Sequence, residues 1–251
     1  MSYRTVVMAT LVAAACSGAV AVPVAAAPGS EPGAVVVPAE SMPERTSLAL
    51  RGPGGTRWGT ANADEPRSAL SMSKLYLADY ALRHGDGSAA DRAAAERMIR
   101  VSDDAAADAI GAKYPQAIGA VAAEYGLDRT APGPGWQMST TSSADLADFL
   151  AAKQATDPGS PILEWMATAP PMAADGTAQN WGTATLPGVQ GSKWGWSDLP
   201  PPEVASASFG PGFTVAAHTR GGPDDQTADV LRALTEIFGP GPGPAARVSG
   251  P

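Results

Sequence analysis

Ser71-Met72-Ser73-Lys74, followed by Leu75-Tyr76-Leu77-Ala78, is the most informative stretch of this chain. Ser71 and Lys74 lie three residues apart at the start of a predicted helix, so both side chains project from the same helix face. The apolar residues that follow place the pair at the N-terminal edge of a buried stripe, where backbone N–H groups and the helix dipole favour a developing anion. A neutral lysine beside a serine can take the hydroxyl proton. The pattern therefore predicts a nucleophile at Ser71.

Two further short motifs follow along the chain, Ser102-Asp103-Asp104 and Lys193-Trp194-Gly195. In this order, the three motifs resemble the S-x-x-K, S-D-N and K-T-G series of class A β-lactamases and penicillin-binding proteins, with the second and third motifs altered. The resemblance runs from about Ser47 to Phe238, and other phrases extend it: Met98-Ile99-Arg100-Val101 before the second motif, Leu127-Asp128-Arg129 at the start of the family's omega loop, and Trp165-Met166 with Leu186-Pro187-Gly188 before its K-T-G strand.

The resemblance implies an α+β (mixed α/β) fold, in which an antiparallel sheet is flanked by helices and a helical lobe is inserted between its early and late strands. The local sequence patterns agree, because strand-like runs occur at both ends of the chain and the middle is helical. Strands are predicted at 47–50, 56–60, 189–194, 203–209 and 213–219, and helices at 74–84, 89–100, 105–113, 116–125, 143–153 and 225–238.

The resemblance also implies a role for each motif residue. Ser71 would be the acylated nucleophile and Lys74 its general base or proton relay. Ser102 would pass a proton to the leaving nitrogen, while Lys193 would hold that hydroxyl and the carboxylate of the substrate. The backbone N–H groups of Ser71 and of a residue after Gly195, here taken as Trp196, would form the oxyanion hole. The substrate-binding positions are then Asp104, Trp194, Gly195 and Trp196.

Asp104 is the first departure from the family pattern, which has Asn at this place. A carboxylate accepts hydrogen bonds but has no N–H₂ to donate to the carbonyl of a substrate amide. It would also favour the ammonium form of Lys74 and weaken this base, unless Asp104 itself takes over proton transfer. We therefore expect Asp104→Asn to speed acylation of Ser71 by a penicillin.

Trp194 is the second departure, because the family has Thr or Ser in the third motif. The missing hydroxyl usually meets the carboxylate of the substrate, and an indole cannot replace that contact. Neighbouring residues on a strand point to opposite faces, so Lys193 and Trp194 are expected to diverge. Two interpretations stay open at this point: the Trp194 side chain lines the cleft, or it packs away from it.

Ala131 is the third departure, because class A enzymes carry a Glu two residues after the Arg of the Leu-Asp-Arg phrase. No Glu occurs between Glu124 and Glu164. Without a carboxylate that activates water, an acyl-enzyme would form but would be cleared slowly. Asp128 and Asp145 are the nearest substitutes in the sequence.

The composition excludes several other classes of protein. The 251 residues include only two histidines and one cysteine, too few for a His/Cys metal cluster of usual ligand number. The formal net charge is −8 and no run of Lys or Arg occurs, which argues against a nucleic acid or an anionic membrane as partner. We expect no metal or cofactor, a small-molecule β-lactam or a peptidoglycan-type peptide as partner, and a monomer.

The ends of the chain have their own signals. Residues 1–27 carry one charge, Arg4, and read as an export signal, so we expect a secreted protein or one of the extracytoplasmic cell envelope. Cys16 is either part of a degenerate lipid-attachment box or is lost with a signal cut near Ala26. Residues 28–44 are predicted to be a linker or a loosely attached strand around Val35–Val37, 45–238 the folded domain and 239–251 a disordered tail.

The sequence leaves three functions open. The first is an exported serine hydrolase that forms an acyl-enzyme through Ser71 on a β-lactam or a D-alanyl-type amide or ester, with slow deacylation. The second is a catalytically attenuated envelope-binding protein on the same fold, in which the altered motifs have removed catalysis. The third is an esterase that uses only Ser71 and Lys74.

Overall fold

The computed structural model describes residues 35–36 and 42–238. The predicted export signal, Cys16, most of the predicted linker and the predicted C-terminal tail lie outside the described residues. No helix among the described residues is long and apolar enough to cross a membrane.

A six-stranded sheet is built from strands at both ends of the described chain, in the order β1-β3-β2-β8-β7-β6. Neighbouring strands pair antiparallel, except that the two residues of β1 run parallel to β3. Two short strands, β4 and β5, pair antiparallel in a separate sheet. The strands are β1 (Val35–Val36), β2 (Thr46–Arg51), β3 (Arg57–Gly59), β4 (Arg67–Ser68), β5 (Thr140–Thr141), β6 (Gly191–Trp196), β7 (Glu203–Gly210) and β8 (Phe213–Arg220).

Seven α-helices lie in the described part of the chain, and six of them fall between β3 and β6, which makes this segment the inserted helical lobe. The seventh closes the domain after β8. They are α1 (Ser73–His84), α2 (Ala89–Arg100), α3 (Asp104–Lys113), α4 (Ala117–Tyr125), α5 (Ser143–Thr156), α6 (Pro161–Ala167) and α7 (Pro223–Phe238).

Side-chain alternation along the strands gives the sheet two apolar faces. On β2, Leu48 belongs to the cluster that packs under α7, whereas Ala49 belongs to the large cluster shared with α1, α2 and α5. Both residues are almost completely buried. Because successive strand residues point to opposite faces, a sheet with apolar residues at both parities must be covered by helices on both sides.

Side-chain caps fix where three helices of the lobe begin. The side-chain oxygens of Ser88, Asp103 and Ser142 accept backbone N–H groups at the starts of α2, α3 and α5. Such caps satisfy donors that have no partner within the helix. The Asp103 cap matters most for the site, because it fixes the chain between Ser102 and Asp104.

The predicted fold class is confirmed, and the predicted hairpin, the helical middle and the late strands are all present. One helix was not predicted. The seven residues of α6 begin with Pro161 at the first helical position, and they are too few to show a helical period. Within the segment predicted to be a linker, Val35–Val36 forms β1.

His218 is buried in β8, where it packs against the start of α5. Its Nδ1 lies 3.1 Å from Ser143 Oγ, and its Nε2 has no hydrogen-bond partner among the described residues. Burial, and secondarily the charge of Arg67, lowers the pKa of His218 to about 3. The native state therefore holds this imidazole neutral.

We expect the stability of the protein to fall below neutral pH because of His218. Between the ordinary pKa near 6.5 and the folded pKa, the unfolded chain binds a proton that the native state does not. This one group then lowers the free energy of unfolding by roughly 1.4 kcal/mol for each pH unit of acidification. Urea unfolding at several pH values between 7 and 4 should show a flatter dependence in His218→Gln than in the wild type. An identical slope in the two proteins would contradict this assignment, and His84→Gln at the exposed histidine serves as the control.

Candidate active site

Ser71 lies in a short 3₁₀ turn, Leu70–Met72, that leads directly into α1. Leu70 has a φ of +51°, a left-handed conformation that is unfavourable for a branched residue. Ser73 Oγ donates to the Leu70 carbonyl at 2.8 Å, which stabilises this tight entry to the helix. The turn therefore presents Ser71 at the edge of the lobe facing β6, and Ser73 points inward.

Lys74 is completely buried, and its amino group is the centre of the site. Its Nζ contacts Ser71 Oγ at 2.9 Å and the Ser102 carbonyl at 2.7 Å, and it also donates to the carboxylate of Asp104. A weaker contact of 3.4 Å reaches Ser102 Oγ. The spacing of three residues does bring the amine to the hydroxyl, as the sequence predicts.

Ser102 joins the two lysines of the motifs. Its Oγ accepts from Lys193 Nζ at 2.8 Å, while its carbonyl accepts from Lys74. Ser102 has a φ of +57°, so a strained backbone turns both of its oxygens toward the lysines. The structure thus brings Ser71, Lys74, Ser102 and Lys193 into one hydrogen-bonded cluster.

Burial disfavours the charged form of both lysines. Burial lowers the pKa of Lys74, and the hydrogen bond and charge of Asp104 oppose this effect. Burial and the neighbouring Lys74 charge hold the pKa of Lys193 well below its ordinary value. A lowered pKa favours the neutral amine, which is the form of lysine that can take a proton from a neighbouring hydroxyl.

Strand β6 passes very close to Ser71, and the residue at the closest approach is Gly195. A Cβ atom at this position would lie 2.8 Å from the backbone nitrogen of Ser71 and 3.0 Å from Leu70 Cβ, so only glycine permits the approach. Gly195 therefore acts through its lack of a side chain, which lets the backbone nitrogen of Ser71 lie close to β6.

The backbone N–H of Trp196 points toward the same edge. β6 is the last strand of the sheet, and Ser197 N–H donates to the Glu203 carbonyl of β7. Because successive N–H groups on an antiparallel strand point to opposite sides, that of Trp196 points away from β7. The two N–H groups named for the oxyanion hole thus lie where β6 passes Ser71.

The side chain of Trp194 lies on the other face of the sheet from Lys193. It is buried against Trp181 and Val204, and its Nε1 donates to the Trp181 carbonyl at 3.0 Å. Only its backbone carbonyl takes part in the cluster, by accepting from Lys193 Nζ at 2.9 Å. Of the two interpretations of Trp194, the structure has the one in which the indole packs away from the cleft.

Two residues that the sequence analysis did not assign to the site lie beside it. The Trp136 ring lies 4.5 Å from Lys74 Nζ, and Asp108 holds its indole through a 2.7 Å hydrogen bond. Asp175 accepts from the Trp196 indole at 3.1 Å, and its charge raises the pKa values of both lysines. Trp136 begins a short 3₁₀ helix, Trp136–Met138, and Asp175 lies in a turn, and no local spacing in the sequence marks either residue.

The segment in which the family would carry its glutamate is short and closed. Ala131 and Thr140 exchange backbone hydrogen bonds of 3.0 Å, and Pro132–Gly135 forms the bend between them. Asp128 is exposed on the preceding turn, with no hydrogen bond among the described residues. Asp145 accepts from Thr130 Oγ1 at 2.7 Å and from a backbone N–H at 2.9 Å, so it ties the segment to α5. Neither carboxylate contacts the cluster of Ser71, Lys74, Ser102 and Lys193.

No protein-family model and no curated protein matches this sequence. Solved structures match it at low sequence identity. Penicillin-Binding Protein D2 from Listeria monocytogenes in its cefotaxime-bound form has a TM-score of 0.57 at 18% identity, covering 76% of this chain and 96% of that chain. A β-lactamase from Burkholderia vietnamiensis has a TM-score of 0.54 at 16% identity, covering 77% and 93%. The D-alanyl-D-alanine carboxypeptidase from Mycobacterium tuberculosis has a TM-score of 0.55 at 16% identity, covering 82% and 96%.

The three structural matches indicate the same architecture as the sheet order, the inserted lobe and the three motifs of this chain. The similarity covers most of this chain and nearly the whole of each matched chain. This protein has the fold of the class A β-lactamases and penicillin-binding proteins.

Proposed function

We propose that this protein is an exported serine hydrolase that forms an acyl-enzyme through Ser71 on a β-lactam or a D-alanyl-type amide or ester. The observation that carries the proposal is the buried Lys74 amine, which contacts Ser71 Oγ at 2.9 Å while Ser102 links it to Lys193. Burying a lysine costs desolvation free energy, which favours its neutral form. A neutral amine held against a serine at the start of a helix is suited to take the proton of the hydroxyl.

Acylation would proceed by a short sequence of proton transfers. The Ser71 oxygen attacks the carbonyl carbon as its proton passes to Lys74. The N–H groups of Ser71 and Trp196 donate to the oxygen that becomes negative. The bond between the carbonyl carbon and the leaving nitrogen breaks as Ser102 passes its proton to this nitrogen. Ser102 takes a proton back from Lys74, whose amine is then neutral again, and Lys193 stabilises the negative charge that develops on Ser102 Oγ.

We propose that the acyl-enzyme is cleared slowly. The closed segment around Ala131 provides no glutamate, Asp128 is exposed on a turn, and Asp145 is occupied by Thr130 and a backbone N–H. A site that binds a β-lactam covalently and releases it slowly behaves as a penicillin-binding protein more than as an efficient β-lactamase. We also propose that the protein is exported, with or without a lipid at Cys16. It would act as a monomer in the cell envelope.

A second candidate is a catalytically attenuated envelope-binding protein on the same fold. Two observations favour it. The carboxylate of Asp104 stabilises the ammonium form of Lys74, and the Trp194 indole lies behind the sheet, where it gives nothing to a substrate carboxylate.

Labelling with a fluorescent penicillin, read on a denaturing gel and by intact mass, tests the proposal. We expect a persistent adduct on the wild type that Ser71→Ala abolishes. Ser73→Ala is the matched control, because this serine of the same motif is buried and donates to the Leu70 carbonyl, so labelling should remain.

Two other outcomes are informative. An adduct retained in Ser71→Ala would contradict the assignment of Ser71 as nucleophile. Penicillin hydrolysis without a lasting adduct would contradict slow clearance. No adduct and no hydrolysis would favour the binding protein. Turnover of an activated ester with no response to penicillin would instead indicate the esterase.

A further inference from the structure

We infer that Asp104 is the base that activates water to hydrolyse the acyl-enzyme, and that the chain Asp104–Lys74–Ser71 returns the proton of this water to the serine. The inference rests on the proposed acylation of Ser71. Asp104 stands where the family has Asn, and the inference gives this carboxylate a function in deacylation.

The backbone holds Asp104 in place beside Lys74. Asp103, immediately before it, caps α3 by accepting the Ala106 N–H at 2.9 Å and pairs with Arg97 at 2.9 Å. Asp104 is the first residue of α3, and its carboxylate is directed to Lys74. The two adjacent aspartates thus have different tasks, because the first builds the helix start and the second faces the nucleophile cluster.

Asp104 also connects the buried cluster to solvent. Its side chain is 66% exposed, whereas that of Lys74 is 0% exposed. Only Oδ1 contacts Lys74, and Oδ2 has no hydrogen-bond partner among the described residues. One oxygen is therefore free to accept a hydrogen bond from water while the other is two hydrogen bonds away from Ser71 Oγ.

The other described carboxylates near the cluster hold neighbouring groups and do not contact the Ser71–Lys74 pair. Asp175 accepts from Thr177 N–H with one oxygen and from the Trp196 indole with the other. Asp108 accepts from the Trp136 indole and the Gln137 amide. Asp145 holds the segment before β5 against α5. Among these groups, Asp104 alone touches the Ser71–Lys74 pair and keeps an unoccupied oxygen.

The proton balance of deacylation closes through this chain. Water gives one proton to the Asp104 carboxylate as its oxygen bonds to the acyl carbon, and the carbonyl becomes an oxyanion. The bond between the acyl carbon and Ser71 Oγ then breaks. Lys74 protonates the serine oxygen and regains a proton from Asp104, so the products are a carboxylic acid and the free serine.

The same arrangement explains why clearance would be slow. A positioned general base typically contributes about 10²–10⁴-fold to a rate. The contact of Asp104 with Lys74 takes up one of its two oxygens, so only the other is free to accept a proton from water. Asp104 thus supports turnover, at a lower rate than an unpaired carboxylate would.

The test is the rate at which a preformed penicillin adduct disappears. Each variant is labelled, freed of excess penicillin and followed by intact mass. We expect Asp104→Asn to lose its adduct at least about tenfold more slowly than the wild type, and Asp104→Glu to clear it faster than Asp104→Asn. Asp128→Asn is the matched control, because this carboxylate is exposed and outside the cluster, and its clearance rate should equal that of the wild type.

Two further readouts separate a base from a structural residue. The pH profile of wild-type clearance should have an acid limb, and Asp104→Asn should lack it. Acylation should be faster in Asp104→Asn, because the substitution removes the charge that raises the pKa of Lys74. Acylation also shows that the variant is folded.

The outcomes distinguish this inference from the proposed function. A wild type that forms no adduct would overturn the proposed function. An adduct that forms on Ser71 and disappears equally fast in the wild type and in Asp104→Asn would overturn the role of Asp104 alone.

Discussion

Acylation of Ser71 is expected to be roughly 10³-fold slower in Lys74→Met than in the wild type, as the loss of a general base implies. Methionine fills a similar volume in the buried site, so the substitution removes the amine with little change in packing. The serine then has no acceptor for its proton, because the other lysine, Lys193, contacts Ser102 rather than Ser71. The measurement is the second-order rate of adduct formation, followed by intact mass.

Two control variants test whether Lys74 acts as a base or only as a positive charge. Lys74→Arg keeps the positive charge, but a guanidinium stays protonated and cannot accept the proton of Ser71. Acylation of this variant should therefore be as slow as that of Lys74→Met. Lys113→Met removes an exposed lysine that pairs with Asp86, and it should acylate at the wild-type rate. Substantial activity in Lys74→Arg would show that the lysine contributes charge alone.

The second large effect is expected at the buried ion pair between α1 and α5. Asp79 is 0% exposed and Lys153 is 1% exposed, and their charged groups are 2.9 Å apart. Lys153→Met leaves the Asp79 carboxylate buried with Arg83 as its remaining cation, and we expect a loss of about 3 kcal/mol in the free energy of unfolding. For a domain of this size the melting temperature would fall by about 6–12 °C.

The double variant Asp79→Leu/Lys153→Met distinguishes a buried charge from lost packing. Because two apolar groups need no partner, the double variant should be more stable than either single variant. Glu96→Gln, which breaks the exposed pair with Arg100, should change stability by less than about 1 kcal/mol. The measurement is urea unfolding of the wild type, Asp79→Leu, Lys153→Met, the double variant and Glu96→Gln. A double variant that is less stable than both single variants would contradict this account.

Local sequence signals were sufficient for most helices and strands. The hairpin of β2 and β3 follows from two alternating runs around Gly52–Gly55, and α1 to α5 follow from apolar spacing and breaks at Gly, Pro and Asp. The sequence does not predict α6, because its seven residues make too few turns to show a helical period.

The site was only partly predictable, for a reason of distance along the chain. The contact of Ser71 with Lys74 follows from helix geometry alone. That of Ser102 with Lys193 joins residues 91 positions apart, so it could be expected only from the resemblance to a family. Trp136 and Asp175 lie in the connections between the longer helices and strands, whose paths depend on tertiary contacts that no local pattern encodes.

The direction of the Trp194 side chain is only partly determined by its place in β6. Strand alternation correctly separates its direction from that of Lys193, but alternation does not say which face is the cleft. That information comes from Trp181 and Val204, which form the pocket that the indole fills.

The pairing of β2 with β8 has a consequence for how the protein folds. Residues Thr46–Arg51 find their central neighbour only at Thr214–Thr219, close to the end of the described chain. Closing so long a loop is slow, and β2 and β3 alone form a hairpin too small to be stable in water. A nascent chain therefore cannot complete this sheet before β8 has been synthesised, and the hydrogen-bonded cluster around Lys74 is positioned only after that point.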